Sequence, residues 1–497
     1  MIKQVLQKTK KAVAVMLAAA TLTSLTACGQ SETTGTPSTE EKQNTEVSTP
    51  STEEVVESTP SSEEVEEELT HIEKVDAYFA DYPAFDLGGR TIKICMFWDQ
   101  YYDSNHTAPE DDPNVANVEM AQMMIDNVRR VEKKYNCRIE YVNPGSEALI
   151  QSLNTSVVAG TPDYDVYLTQ TWFAFPLALN GYFYDLSEIS HDYSDINNEA
   201  TCISAEPLAG TNCFFEKASR DVAGRYLVYN ADMLEELNLE DPNELYAKGE
   251  WTWDKFAELC KAATQDTDNN GETDIYGYGG GSGNTVTEFL ASNNATLITE
   301  DGKENLSDPK VIETFTFLNR LYNEEKIARP MTEDYNADAF AWTEGKCAFS
   351  VTQLWIIQTA ENLNFNYRLV PWPTGPSGDG SQAGQSFADY YVIPKGVEEP
   401  EKVLQVVEEF FGWHGGDLEL RDQDMIELAE SCLLEESDVN VVWETSAKGN
   451  GDIWSLVDSN YIITGIFDSV VSGTMTPAQA IEANRQVWQD AIDSVLK

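Results

Sequence analysis

Apolar and polar residues alternate in a legible order through the first part of the globular sequence. TIKICMFW (Thr91–Trp98), CRIEYV (Cys137–Val142) and YDVYLT (Tyr164–Thr169) are short, rich in β-branched and aromatic residues, and predict strands. Between them, VANVEMAQMMIDNVRRVEKKY (Val115–Tyr135) and EALIQSLNTSVVAG (Glu147–Gly160) set apolar residues at helical spacing. Strand, helix, strand, helix, strand predicts a parallel sheet covered on both faces, an α/β arrangement whose ligands collect at the carboxyl ends of the strands. Those ends are FWDQYY (Phe97–Tyr102) and TQTWFAF (Thr169–Phe175). Further on, Thr252 is placed to cap a helix from Trp253 whose apolar face is Phe256, Leu259, Cys260 and Ala263. TPAQ (Thr476–Gln479) is a capping box with Pro477 at the first helical position. Ala480, Ala483, Val487, Ala491 and Val495 follow at helical spacing, with Trp488 beside them.

The N-terminal segment has a different pattern. Lys3, Lys8, Lys10 and Lys11 precede an apolar run, Ala12–Leu25, too short to span a membrane and of the length of a secretory signal. LTAC (Leu25–Cys28) resembles the bacterial lipobox, which implies acylation of Cys28, and two or more acyl chains hold a protein stably at a membrane. Residues 29–69 are rich in Ser, Thr, Glu and Pro, with twelve Glu against one Lys and a near repeat, STPSTEEV and STPSSEEV. Such a tract has little to bury and repels itself; as a linker its root-mean-square reach is roughly 35 Å.

Charge and cysteines narrow the function. A formal net charge of −53 excludes nucleic acid as a partner, since phosphate binding is driven by Lys and Arg. Of eight cysteines, acylation of Cys28 leaves an odd number. Without a CxxC, and with His71, His106, His191 and His414 scattered, a zinc site is not expected. Cys202 and Cys213 either close a small loop disulfide or remain thiols, whereas Cys95 and Cys347 lie in strand-like runs and read as buried small apolar residues. About 430 residues follow the linker, enough for two domains.

DTDNNGETDIYGYG (Asp266–Gly279) begins as an EF-hand does, with Asp266, Asp268 and Asn270 at positions one, three and five and Gly271 at six. Position twelve, where the bidentate Glu belongs, is Gly277, so an EF-hand sensor is excluded. Neither GxSxG, HExxH nor a P-loop occurs, and GYGGGSG (Gly277–Gly283) lacks the spacing of a dinucleotide fingerprint.

Six segments in order resemble the extracellular solute-binding proteins of sugar-type ABC importers, whose best-known member binds maltose. They are AGTPDYDVYLTQ (Ala159–Gln170), RYLVYNADMLEELNL (Arg225–Leu239), GEWTWDKFAELCKAAT (Gly249–Thr264), FAWTEGKCAFSVTQLW (Phe340–Trp355), ADYYVIPKGVEEPEKVLQVVEEF (Ala388–Phe410) and GTMTPAQAIEANRQVWQDAI (Gly473–Ile492). The resemblance implies a periplasmic-binding-protein-like fold: two α/β lobes with a ligand cleft at the hinge. Lobe one is expected over 70–225 with a return over 374–412, and lobe two over 226–373, with C-terminal helices on lobe two over 413–497. It implies a monomeric, lipid-anchored receptor on the extracellular face of the bacterial membrane, not an enzyme, delivering a carbohydrate to permease subunits. The alternatives are a ligand-sensing subunit for a membrane sensor kinase and a lipid-anchored glycan hydrolase. No cofactor is required. An Asp-rich turn is common after the WTWDKF helix in this family, and the turn here either holds a structural Ca²⁺ through Asp266, Asp268, Asn270, Glu272 and Asp274 or is a solvated turn.

A sugar presents C–H faces that stack on aromatic rings and hydroxyls that need polar partners. Trp98 and Asp99 follow the first strand, Gln170 and Trp172 the third, and Asp389 and Tyr390 open the returning strand. Arg225 lies at the first lobe crossing, where it either meets the ligand or pairs with an acid such as Asp221. By resemblance, Trp355 is a stacking aromatic, and Trp454 and Tyr461 lie where the tail meets the cleft. Trp251 and Trp253 read as packing, and Trp372, between prolines on the second crossing, as hinge.

Overall fold

Ile92 and Ile94 are buried on one face of the first strand while Cys95 is buried on the other, the period-two signature of a strand covered on both sides. The computed structural model describes residues 69–115, 117–191, 203–208, 210–217, 224–380, 389–446, 457, 458 and 461–496. Cys28, the acidic tract to residue 68, Cys202, Asp221 and Trp454 lie outside these. Two sheets organise the body. The first contains β1 (Arg90–Cys95), β2 (Cys137–Val142), β3 (Val166–Gln170), β4 (Ile203–Leu208), β5 (Thr211–Lys217) and β10 (Asp389–Val392). The second contains β6 (Tyr226–Asn230), β7 (Tyr276–Gly279), β8 (Cys347–Thr352) and β9 (Tyr367–Val370).

The first sheet has the order β2-β1-β3-β10-β5-β4. β1 runs parallel to β2 and to β3, as the alternating pattern predicts. The other half is antiparallel: β10 pairs with β3 and β5, and β4 and β5 form a hairpin. The second sheet, β7-β8-β6-β9, is mixed, with β7 parallel to β8 and β6 antiparallel to both of its neighbours. Helices cover both sheets, giving two α/β lobes.

Caps set the helix ends. The Asn117 side chain accepts the Met120 amide at 3.0 Å, so the first long helix is Val118–Tyr135, and Asn136 ends it at φ 48°. Glu409, on the helix Pro400–Phe411, is fully buried and ties the two helices together. It accepts from Arg130 Nη2 at 2.7 Å and from Lys134 Nζ at 2.6 Å. Thr252 caps Trp253–Ala263, and Phe256, Leu259, Cys260 and Ala263 are buried as expected. The Thr476–Gln479 box closes from both sides, at 3.4 and 3.1 Å. Of the expected face of the helix Pro477–Leu496, Ala480 is buried and Ala491 and Val495 pack against the core, but Val487 is 49% exposed and Ile481, Trp488 and Ile492 are interior, so the face is turned toward Trp488. Trp488 has the most area to bury, and its indole donates to the Leu297 carbonyl at 2.9 Å, so it decides the rotation.

The chain passes between the sheets at Gly224–Arg225, again after β9, and a third time between Pro400–Phe411 and the helix Leu418–Cys432. Beside the third passage the first helix, His71–Tyr78, lies on bare backbone: a Cβ at Gly415 would meet Val75 at 3.1 Å, and one at Gly416 would meet the Tyr78 ring at 2.6 Å. Trp251 and Trp253 are buried and clamp the second passage, Trp251 Nε1 donating to the Pro371 carbonyl at 2.7 Å. The described cysteines, Cys213 among them, are free and buried, and burial pushes the Cys95 and Cys347 thiols up to about 12. Among the described residues no helix is long and apolar enough to cross a membrane.

Candidate functional site

The carboxyl end of β3 and the amino end of β10 are neighbours in register, Gln170 opposite Asp389. Gln170 Nε2 donates to Asp389 Oδ1 at 2.9 Å, and Gln170 Oε1 accepts from Trp172 Nε1, also at 2.9 Å. One amide therefore orients both a carboxylate and an indole. Trp172 also leans edge-on against Phe173, with centroids 4.8 Å apart. Facing it is Tyr461, whose ring centroid lies 5.2 Å from that of Trp172 with the planes at 50°. Tyr461 stands at the start of the helix Ile462–Val471, which packs on Ser282–Ser292, Pro309–Asn319 and Pro477–Leu496 around the second sheet. The two rings thus approach from different lobes.

The remaining expected residues are spread more widely. Trp98 is partly buried, perpendicular to Phe97 at 4.4 Å, and the exposed Asp99 accepts from Asn143 Nδ2 at 2.8 Å. Tyr390 is 8% exposed and packs on Phe214 inside lobe one. Arg225 is 1% exposed, and its acid is Glu288 at 3.5 Å, also 1% exposed. A charge buried this deeply needs a partner in the interior, and the helix Ser282–Ser292 supplies one. Trp355 is 42% exposed and meets Phe340 edge-on at 5.7 Å. With Asn336, Thr343, Glu344 and Thr359 it lines an open hollow of about 380 Å³. Its ring contact lies within lobe two, apart from the Trp172–Tyr461 pair.

In the Asp-rich turn, Asp266, Asp268 and Asp274 bring carboxylate oxygens within 4.8 Å of one another. Asp266 accepts the Asn270 and Gly271 amides at 3.1 and 2.8 Å, and the Thr267 hydroxyl and amide hold the Asp274 carboxyl below the usual range. Asn270 donates to Asp268 and accepts the Glu272 amide. The Asp carboxylates supply oxygen donors of the kind Ca²⁺ takes, about half or fewer of the six to eight it needs.

Two features had weak signals in the sequence. The glycine run serves close packing: a Cβ at Gly281 would lie 2.7 Å from the Tyr335 ring, and one at Gly279 2.5 Å from the Cys347 sulfur. Asp458, an acid four residues before an apolar helix, is 8% exposed and accepts the amides of Ile462 and Ile463. Burial pushes its carboxyl up to about 7 against the pull of those amides.

Residues 120–414 match the family described as bacterial extracellular solute-binding protein. None of the curated proteins matches this chain. Among similar solved structures is an ABC transporter solute-binding protein of Thermotoga lettingae bound with alpha-D-tagatose, at 18% identity and TM-score 0.55, covering 82% of this chain and 100% of that one. An ABC substrate-binding protein of Listeria monocytogenes in complex with cycloalternan gives 15% identity and TM-score 0.57, covering 82% and 99%. The maltose/maltodextrin-binding domain of Bdellovibrio bacteriovorus bound to maltotriose gives 16% and 0.56, covering 81% and 100%. At these identities the likeness speaks for the fold. The family match extends over more than half of the residues, and the chain belongs to the bacterial extracellular solute-binding proteins.

Proposed function

We propose that this protein is the lipid-anchored, extracellular substrate-binding component of an ABC importer, which captures a sugar or oligosaccharide between its lobes and delivers it to a membrane permease. The observation that carries the reading is the pairing of Trp172 and Tyr461 from opposite lobes beside the Gln170–Asp389 hydrogen bond. Rings supply stacking faces, and the oriented amide and carboxylate supply partners for hydroxyls. A ligand that contacts both lobes favours the closed form by its differential affinity for it, and a closed form is what a permease can distinguish. Saccharide-bound relatives of the same fold add support. Anchoring rests on the lipobox at Cys28. A structural Ca²⁺ on Asp266, Asp268 and Asp274 belongs to the same reading, supported by their convergence.

The test is thermal unfolding of the mature chain with Cys28→Ser against a panel of mono- and oligosaccharides, with calcium and with chelator. A ligand at one hundred times its dissociation constant adds about 2.7 kcal/mol. A stabilising saccharide recovered unchanged is the expected result; a silent panel counts against a sugar ligand, and a cleaved product against a receptor. A melting temperature indifferent to chelator counts against the ion. Incorporation of a palmitate analogue into the wild type and not into Cys28→Ser tests the anchor.

A further inference from the structure

Tyr461 is an exposed aromatic residue in a backbone conformation that aromatic residues avoid. Its φ is 52°, in the left-handed region, where the Cβ of an L-residue is crowded. Asn136, Asn238, Asn269 and Asn294 share that region, as do Tyr102, Lys326 and Glu399; asparagine tolerates it through its short amide, whereas the longer side chains hold it at a cost. A large side chain stays there only where its surroundings over-determine it.

Asp458 supplies that determination. Its carbonyl accepts the Tyr461 amide at 3.0 Å. Its buried carboxylate accepts the next two amides, of Ile462 and Ile463. The backbone is therefore pinned on both sides of the Tyr461 Cα by a single residue. Downstream, Ile463, Ile466, Phe467 and Val470 are locked into the core of the second lobe.

An ordinary helix cap does not account for this arrangement. A cap residue directly precedes the helix and offers its own side-chain oxygen, as Asn117 does. Here Tyr461 occupies that position and makes no side-chain cap bond, while Asp458, three residues earlier, satisfies the amides instead. Moving the cap upstream leaves the cap position free for a ring. That ring is 51% exposed and points at Trp172, itself oriented by Gln170 and Asp389.

We propose that Asp458 is a positioning residue of the solute cleft: it caps the helix Ile462–Val471 from upstream so that Tyr461 can stand at the cap position and be set against Trp172. The importance of this for binding rests on the reading of Trp172 and Tyr461 as cleft walls; the positioning itself does not.

The full chain with Tyr461→4-fluorophenylalanine has one fluorine resonance, shifted by the ring current of Trp172, and Trp172→Leu marks its place without that ring. Asp458→Ala is expected to move the resonance to the Trp172→Leu place, and Asp458→Asn, which keeps an accepting oxygen, to hold it near the wild type. Asp458→Glu retains the charge but displaces the carboxylate by one methylene; it is expected to move the resonance as well, and it decides the matter if Asp458→Ala does not fold. An unmoved resonance in the folded variants overturns the proposal. A saccharide that stabilises the wild-type chain in the melting panel is then titrated, and about fivefold weaker binding to Asp458→Ala is expected. A moved resonance with unchanged saccharide affinity upholds the positioning and overturns Tyr461 as a cleft wall.

Discussion

The indole of Trp372 donates to the backbone carbonyl of Arg225 at 3.3 Å, so the segment that leaves the second lobe is hydrogen-bonded to the one that enters it. Trp372 also packs edge-on against Phe289 at 5.4 Å. Trp372→Phe keeps a ring edge-on to Phe289 but loses the bond and part of the packing, and should lower stability by about 1 to 2 kcal/mol. Trp372→Ala loses both, and about 3 kcal/mol or more is expected. Urea denaturation of the two variants measures the difference.

The same Arg225 carries a charge in the interior, 3.5 Å from Glu288. Removing one partner of such a pair strands the other, so Glu288→Gln should destabilise by about 3 kcal/mol. The double variant Arg225→Met/Glu288→Leu should recover most of that loss. A Glu288→Gln chain with wild-type stability would show that the pair does not hold this passage.

Two buried groups titrate in opposite senses. Burial, helped by Arg421 and Lys217, lowers His414 from 6.5 to about 3; burial raises Asp458 from 3.8 to about 7. Between the folded and unfolded values of His414 the unfolded chain holds more protons, so this contribution grows as pH rises. Between those of Asp458 the folded chain holds more, so this contribution shrinks as pH rises. Where the windows overlap, each slope is at most about 1.4 kcal/mol per pH unit, and the two oppose. Relative to the wild type, His414→Gln should lose stability from about pH 4 to 6.5 and Asp458→Asn should gain it. Urea midpoints across that range check the signs, and parallel curves for the two variants would sink the assignment.

Trp355 is half-exposed, so Trp355→Ala should leave the melting temperature nearly unchanged while weakening saccharide binding by about 1 kcal/mol. Trp172→Ala removes a ring braced by Gln170 and Phe173 and should cost at least as much. Isothermal titration with the stabilising saccharide compares them; full affinity in Trp355→Ala would remove it from the site.

The local devices were legible in the sequence because their partners lie within a few residues. The strand Cys137–Val142, the Thr252 cap and the Thr476–Gln479 box depend on such spacings and stand where the pattern placed them. The antiparallel half of the first sheet was not legible, because β10 finds β3 from more than two hundred residues away. The same separation hid the Gln170–Asp389 bond, although each residue stands at a strand end in the sequence. Arg225 showed its need for an acid but not the helix that brings one: Glu288 pairs with it from the helix Ser282–Ser292, while Asp221 lies outside the described residues. On the last helix, spacing alone centred the face near Val487, where the size of Trp488 overruled it.

The helix His71–Tyr78, seated on the bare backbone of Gly415 and Gly416, fixes where a pull on the N-terminal tract is felt. That seat adjoins a passage between the lobes, so tension arriving through residue 69 acts with a short lever arm on either of them. A force entering there would exert little torque about that passage.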